Sequence, residues 1–166
     1  MKKLLLFMAV AWAVLAPSAA GQARAAGDWS WPVAGPVIKG FDPPDTPFGS
    51  GHRGIDVAVS VGTPVHAAAA GVVTFAGPVG GRLFLTIDHG AGLESRYSFL
   101  SVLVVRRGDA ISEGQVVARS GTGHARDVVP NLHFAVLVRD VYVDPFDYLG
   151  PVEVWGFIRL APLTAG

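Results

Sequence analysis

Alternation of hydrophobic and polar positions dominates the central part of the chain. Segment Arg82–Asp88 places Leu83, Leu85 and Ile87 on one face, and Leu93–Phe99 alternates again after a glycine-rich turn. Because successive side chains of a strand point to opposite faces, each segment predicts a half-buried β-strand. Two such strands joined by a short turn predict an antiparallel hairpin.

Other short apolar runs predict further strands. Gly71–Phe75 and Gln115–Ala118 are short examples, Leu132–Arg139 is longer, and Val37–Lys39 is a brief strand in a Pro- and Gly-rich region. No segment of adequate length combines helical periodicity with capping residues. The predicted fold class is therefore all-β, with antiparallel sheets joined by short turns.

The first residues have the layout of a secretory signal. Two lysines precede the apolar run Leu4–Leu15, and Pro17 ends that run. The run is too short to span a bilayer comfortably, so we expect residues 1–25 to be a signal peptide rather than an uncleaved anchor. Two cleavage sites fit the pattern of small residues, one marked by Ser18 and Ala20 and the other by Ala23 and Ala25.

Composition divides the remaining chain into three parts. Residues 26–48 form a Pro- and Gly-rich lead-in, in which we expect Trp29 and Trp31 to pack on the core. Residues 49–150 are long enough for one domain with a real core. Residues 151–166 are either a last strand or a loose tail.

Charge and cysteine content restrict the function classes. Removing residues 1–25 takes away three of the 13 basic residues and none of the 13 acidic residues, which leaves a net charge of −3. No basic stripe remains, so we expect no binding to nucleic acid. The chain has no cysteine, and a zinc site would therefore have to use histidine and carboxylate ligands.

Candidate chemistry centres on His52 and Asp56, together with the distant His133. Three such ligands, with a fourth position left to water, are typical of catalytic zinc. In a straight strand, residues four apart are roughly 13 Å from each other, too far to share one ion. We therefore predict a tight bend at Gly54 that folds Asp56 back toward His52. Taken singly, each of the three residues also suits an ordinary structural role.

Several motifs together resemble those of the lysostaphin-type zinc endopeptidases, the M23 family. The resemblance runs from about Gly49 to Leu149, and it is specific only when the motifs are taken together. The motifs are Gly51–Ala58, Gly62–Val65, Ala68–Val73, Asp88–Gly90, Gly92-Leu93, Gly108-Asp109, Gly114-Gln115 and Leu132–Phe134.

This resemblance implies a fold, a cofactor and a substrate class. It implies antiparallel sheets that form a narrow groove, with hybrid barrel-sandwich character. It also implies one zinc ion, bound by His52, Asp56 and His133 at the matching motif positions. The substrates of the family are the peptides of bacterial peptidoglycan, so we expect a secreted or extracytoplasmic protein without a membrane span after signal cleavage.

The sequence departs from the family at two positions. Active members carry a histidine in a Tyr-x-His-Leu motif, where this chain has Phe99, and a first histidine in His-x-His, where it has Asn131. In the family these histidines flank the zinc-bound water. Phe99 cannot transfer a proton, and Asn131 can donate a hydrogen bond but cannot accept a proton. Losing a general base and an oxyanion donor would cost about 10²- to 10⁴-fold and 10²- to 10³-fold in rate.

Another residue could compensate for these losses. We expect structural roles for His66 and His89, whereas His124 lies in a loop just before the strand that carries His133. His124 is therefore either a solvated loop histidine or a substitute near the site. The residues we expect along the substrate groove are Tyr97, Phe99, His124 and Asn131.

Two functions of different class follow from these residues. The retained ligands indicate a zinc peptidase that acts on peptidoglycan peptides, by attack of metal-activated water on a peptide bond. The missing histidines indicate a weak or inactive pseudo-peptidase that binds peptidoglycan or regulates a partner wall hydrolase.

Overall fold

The protein is built from antiparallel strands. The computed structural model describes residues 27–46, 49–124 and 128–151, so our expectations for residues 1–25 and 152–166 lie outside the described residues. A short 3₁₀ turn, Pro145–Asp147, is its only helical element in these ranges, where no helix is long and apolar enough to cross a membrane. The strands are β1 (Val37–Lys39), β2 (Ile55–Ala58), β3 (Pro64–His66), β4 (Gly71–Val79), β5 (Arg82–Asp88), β6 (Leu93–Leu103), β7 (Ala110–Ile111), β8 (Val116–Ser120), β9 (Asn131–Val138) and β10 (Val141–Val143).

The strands join into one sheet whose main path runs β1-β2-β9-β6-β5-β4-β7. Strand β10 pairs with β9, while β8 pairs with both β3 and β6. Every pairing between these strands is antiparallel, and β5 and β6 form the expected hairpin. The all-β antiparallel prediction is confirmed.

Strand β9 lies between β2 and β6 and separates the core from the candidate site. Leu132, Phe134 and Val136 belong to the hydrophobic core. His133 points to the opposite face, as the alternation along the strand predicts. The rest of the core comes from both ends of the sheet and includes Ile55, Val57, Val65, Val73, Leu85, Ile87 and Val117.

The lead-in packs against the end of the domain. Trp29 is almost fully buried, and its ring contacts the rings of Tyr148 and His89. Its backbone pairs with Leu149, while the indole of the partly buried Trp31 donates a hydrogen bond to the Gly150 carbonyl. These contacts agree with the core-packing role expected for both tryptophans.

Tyr97 belongs to the core and does not line a groove, contrary to our expectation. Its side chain is fully buried, and its hydroxyl accepts a hydrogen bond from the Ala68 amide at 2.8 Å. The same hydroxyl lies 3.2 Å from Ser95 Oγ, which in turn lies 2.8 Å from His89 Nε2. The other ring nitrogen of His89 bonds to the Ala70 carbonyl, so His89 has the structural role predicted for it.

Removing the Tyr97 hydroxyl should therefore destabilise the fold. Tyr97→Phe leaves the buried Ala68 amide without its acceptor, which costs about 1–3 kcal/mol in the free energy of unfolding. Urea denaturation measures this change. Tyr148→Phe, which removes a hydroxyl from a partly exposed tyrosine, is the matched control. Equal stability of the two variants would contradict the assignment of Tyr97 to a buried polar network.

Candidate metal centre

His52 is held in place from the lead-in side. Its backbone exchanges hydrogen bonds with Asp42, at 2.9 and 2.6 Å. Its Nδ1 lies 2.7 Å from the Gly40 carbonyl, which accepts the ring N–H. In the neutral ring this contact leaves a lone pair on Nε2 that can bind a metal. Metal-binding histidines typically donate the N–H of their other ring nitrogen to an acceptor in this way.

Asp56 and His133 face each other across strands β2 and β9. They are directly paired in the antiparallel register, so their side chains share one face. His133 Nδ1 lies 2.8 Å from Asp56 Oδ1, while His52 Nε2 lies 3.1 Å from Asp56 Oδ2 and 3.1 Å from His133 Nδ1. The structure thus brings the three predicted ligands together.

Gly54 explains how the chain reaches this geometry. The expected bend is present at residues 53–54, immediately before β2. A Cβ at Gly54 would collide with the Phe134 carbonyl and lie 3.0 Å from the ring of His133. Glycine is required because β9 and the His133 ring approach the backbone closely.

His124 is the fourth member of the group. It follows β8, and its Nε2 lies 3.4 Å from Asp56 Oδ1. One ligand atom from each of His52, Asp56, His124 and His133 lies within 4.8 Å of the others. The sequence left open whether His124 is a solvated loop residue, and the structure brings it to the candidate metal centre.

The donor set fits zinc. Nitrogen and oxygen ligands at about 2.0–2.2 Å in a tetrahedron are separated from one another by about 3.4 Å. The separations of 2.8, 3.1, 3.1 and 3.4 Å between these donors are close to that length. A single ion would therefore reach the donors with small side-chain adjustments.

The protonation states also suit a metal. Burial alone would raise the pKa of Asp56, but its hydrogen-bond contacts with His133 and His52 outweigh that effect and hold the pKa well below its usual value. Burial lowers the pKa of His133, which Asp56 opposes only in part. An ionised carboxylate and a neutral imidazole are the forms that bind metal, because ligands must be deprotonated.

Phe99 lies beside this group because β6 bulges there. Its φ of 62° is in the left-handed region, and it falls at the shift in register between β5 and β6. The centroid of its ring lies 4.4 Å from that of His124 and 6.1 Å from that of His133. Phe99 also lines a cavity of about 320 Å³, with Val61, Gly81, Arg82, Leu83, Leu100, Ser101, Gly121 and Thr122.

Asn131 does not line the groove as expected. Its side chain is fully buried, and its Nδ2 donates a hydrogen bond to the Val129 carbonyl at 3.0 Å. Gly123 covers it so closely that a Cβ there would lie 2.5 Å from Asn131 Nδ2. The amide therefore supports the loop that carries His124.

Sequence reasoning missed Arg82. Its guanidinium carbon lies 5.1 Å from the centroid of the Phe99 ring, and the same group donates a hydrogen bond to the Gly123 carbonyl. Arg82 thus connects the cavity to the loop beside His124. Its position at the start of an alternating strand gave no signal for this role.

Comparison with known proteins identifies a family. The profile described as Peptidase family M23 matches residues 50–145. The uncharacterized lipoprotein YgeR of Escherichia coli is 33% identical over 74% of this chain and 47% of its own length. The peptidoglycan DD-endopeptidase ShyA of Vibrio cholerae is 36% identical over 62% of this chain and 25% of its own length. The chain thus spans about half or less of the length of these relatives.

Solved structures share the fold. A zinc-containing peptidase from Vibrio cholerae has a TM-score of 0.63 and 31% identity, covering 77% of this chain and 41% of that chain. The antimicrobial peptidase lysostaphin from Staphylococcus simulans has a TM-score of 0.66 and 26% identity, covering 85% of this chain and 62% of that chain. The lysostaphin-like fold predicted from the motifs is confirmed.

Substituting Gly54 should disturb the candidate centre. In Gly54→Ala the new methyl group displaces β9 and the His133 ring, so we expect zinc affinity to fall at least about tenfold. Competition with a chromophoric chelator measures the affinity. Gly77→Ala is the control, since a Cβ there would meet only the Phe75 ring, at an ordinary contact distance of 3.6 Å. An unchanged affinity in Gly54→Ala would show that the close approach does not position a ligand.

Proposed function

Because this chain belongs to peptidase family M23, we propose that it is an exported zinc protein that acts on the peptides of bacterial peptidoglycan. The convergence of His52, Asp56 and His133 carries the proposal. The relatives add support, since one is named a peptidoglycan endopeptidase, another a lipoprotein, and one solved structure a zinc-containing peptidase. These names favour an extracytoplasmic location, in the cell wall or periplasm.

In this proposal His52 Nε2, Asp56 and His133 Nδ1 hold one zinc ion. Bound there, zinc would act as a Lewis acid and lower the pKa of water to about 7 for attack on a peptide bond. The Gly40 carbonyl fixes the ring of His52, and β2 fixes Asp56 opposite His133. The cavity beside Phe99 would receive part of the substrate.

A second candidate function follows from Phe99 and Asn131. Neither side chain transfers a proton, and Asn131 is fully buried. A protein with this arrangement would bind peptidoglycan or regulate a partner wall hydrolase while cleaving slowly or not at all. The same metal centre would then serve binding or stability.

Release of soluble peptide fragments from purified peptidoglycan distinguishes the two functions. We expect slow release by the zinc-loaded protein, and loss of that release after chelation or in His133→Ala. Re-addition of zinc should restore the chelated protein, which separates metal loss from unfolding. His66→Ala is the control, since His66 bonds to the Gly114 carbonyl and is not part of the metal group.

Two results of this experiment would contradict parts of the proposal. Stoichiometric zinc without any fragment release would favour the binding or regulatory function. Release that persists after chelation and in His133→Ala would contradict the proposed zinc centre.

Phe99 offers a gain-of-function test. In Phe99→His an imidazole replaces the phenyl ring that lies beside His124 and His133, and it restores a group able to accept a proton. A positioned general base contributes about 10²-fold or more in rate, so fragment release should rise by about that factor. Phe84→His, at the ring that packs on Phe99, is the control. Equal rates in both variants and the unaltered protein would contradict a limiting role of Phe99.

A further inference from the structure

We propose that His124 is a fourth protein ligand, which closes the metal centre in its resting state. This inference rests on the proposed centre of His52, Asp56 and His133, and it concerns how access to that centre is controlled. It also gives a role to residues 121–124, which the family resemblance does not assign.

The first argument is the position of the His124 ring. Its Nε2 lies 3.4 Å from Asp56 Oδ1, close to the edge of about 3.4 Å expected for a zinc tetrahedron. Its centroid lies 5.2 Å from that of His133 and 5.8 Å from that of His52. The donor atoms of all four residues lie within 4.8 Å of one another, so His124 is close enough to supply the fourth corner of the set.

The second argument is how firmly the preceding residues are held. Gly123 sits directly on Asn131, with a φ of 80° and no space for a Cβ. Arg82 donates a hydrogen bond to the Gly123 carbonyl. The backbone of Gly121 packs equally closely on the Phe99 carbonyl. These contacts hold residues 121–123 beside the site, so that the next residue, His124, lies within it.

The third argument is the location of the two departures from the family. Phe99 and Asn131 are the positions at which the motifs lack histidine, and both contact this loop. Phe99 packs its ring on the imidazole of His124 at 4.4 Å, and Asn131 supports Gly123 from below. The two residues that stand in place of the family histidines therefore also pack against the segment that positions His124.

Closure has a chemical consequence. Zinc with four protein ligands is typical of structural sites, whereas catalytic sites keep one position for water or substrate. With His124 bound, a peptide would reach the metal only when the imidazole withdraws. His124 would thus keep the peptidase latent, or would complete a structural centre if the protein serves binding.

Cadmium NMR tests the coordination directly. The full chain is loaded with an NMR-active cadmium isotope, and scalar coupling from the metal to histidine ring protons is recorded. We expect three coupled imidazoles in the unaltered protein and two in His124→Ala, with those of His52 and His133 retained. Coupling to only two imidazoles in the unaltered protein would overturn the proposal.

Zinc affinity and a second variant complete the test. His124→Ala should lower zinc affinity at least about tenfold, and Gly123→Ala should do so as well, because its methyl collides with Asn131 and displaces His124. His66→Ala is the histidine control and should bind zinc normally. An unchanged affinity in both loop variants would overturn the ligand role.

The two proposals can fail separately. If the unaltered protein binds no metal at all, the proposed zinc centre falls, and the role of His124 falls with it. If two imidazoles bind the metal, the centre stands and only the fourth ligand is lost.

Discussion

The candidate site depends on the antiparallel pairing of β2 with β9. That register places Asp56 opposite His133, so their side chains meet on the same face without any long-range adjustment. The Asp42 bridge and the Gly40 carbonyl then hold His52 against the same carboxylate. Two backbone pairings therefore bring together groups that are far apart in sequence.

Burial of the Asp56 carboxylate would be electrostatically costly if its charge had no partner. The carboxylate is almost fully buried, and its contacts with His133 and His52 hold its pKa well below the usual value. A buried anion that faces several imidazoles is a ready-made ligand set for a cation. The contacts that offset the cost of burying Asp56 therefore also keep its carboxylate in the form that binds a metal.

Sequence patterns predicted most of the fold. Period-two alternation located the hairpin of β5 and β6 and the faces of β9, because one side of each strand is buried. The family motif misplaced Tyr97 in the groove, since a bulge at Phe99 puts Phe99 on the side of the site while Tyr97 stays in the core. The roles of Arg82, Gly123 and the buried Asn131 depend on a loop conformation that leaves no periodic signal.

The central claim is that the three converging side chains form one zinc centre. Anomalous diffraction at the zinc edge, from crystals grown with zinc, tests it most directly. The account predicts one strong peak about 2 Å from His52 Nε2, an Asp56 oxygen and His133 Nδ1. Diffraction from zinc-soaked crystals with no peak among these atoms, or with zinc bound elsewhere, would contradict it.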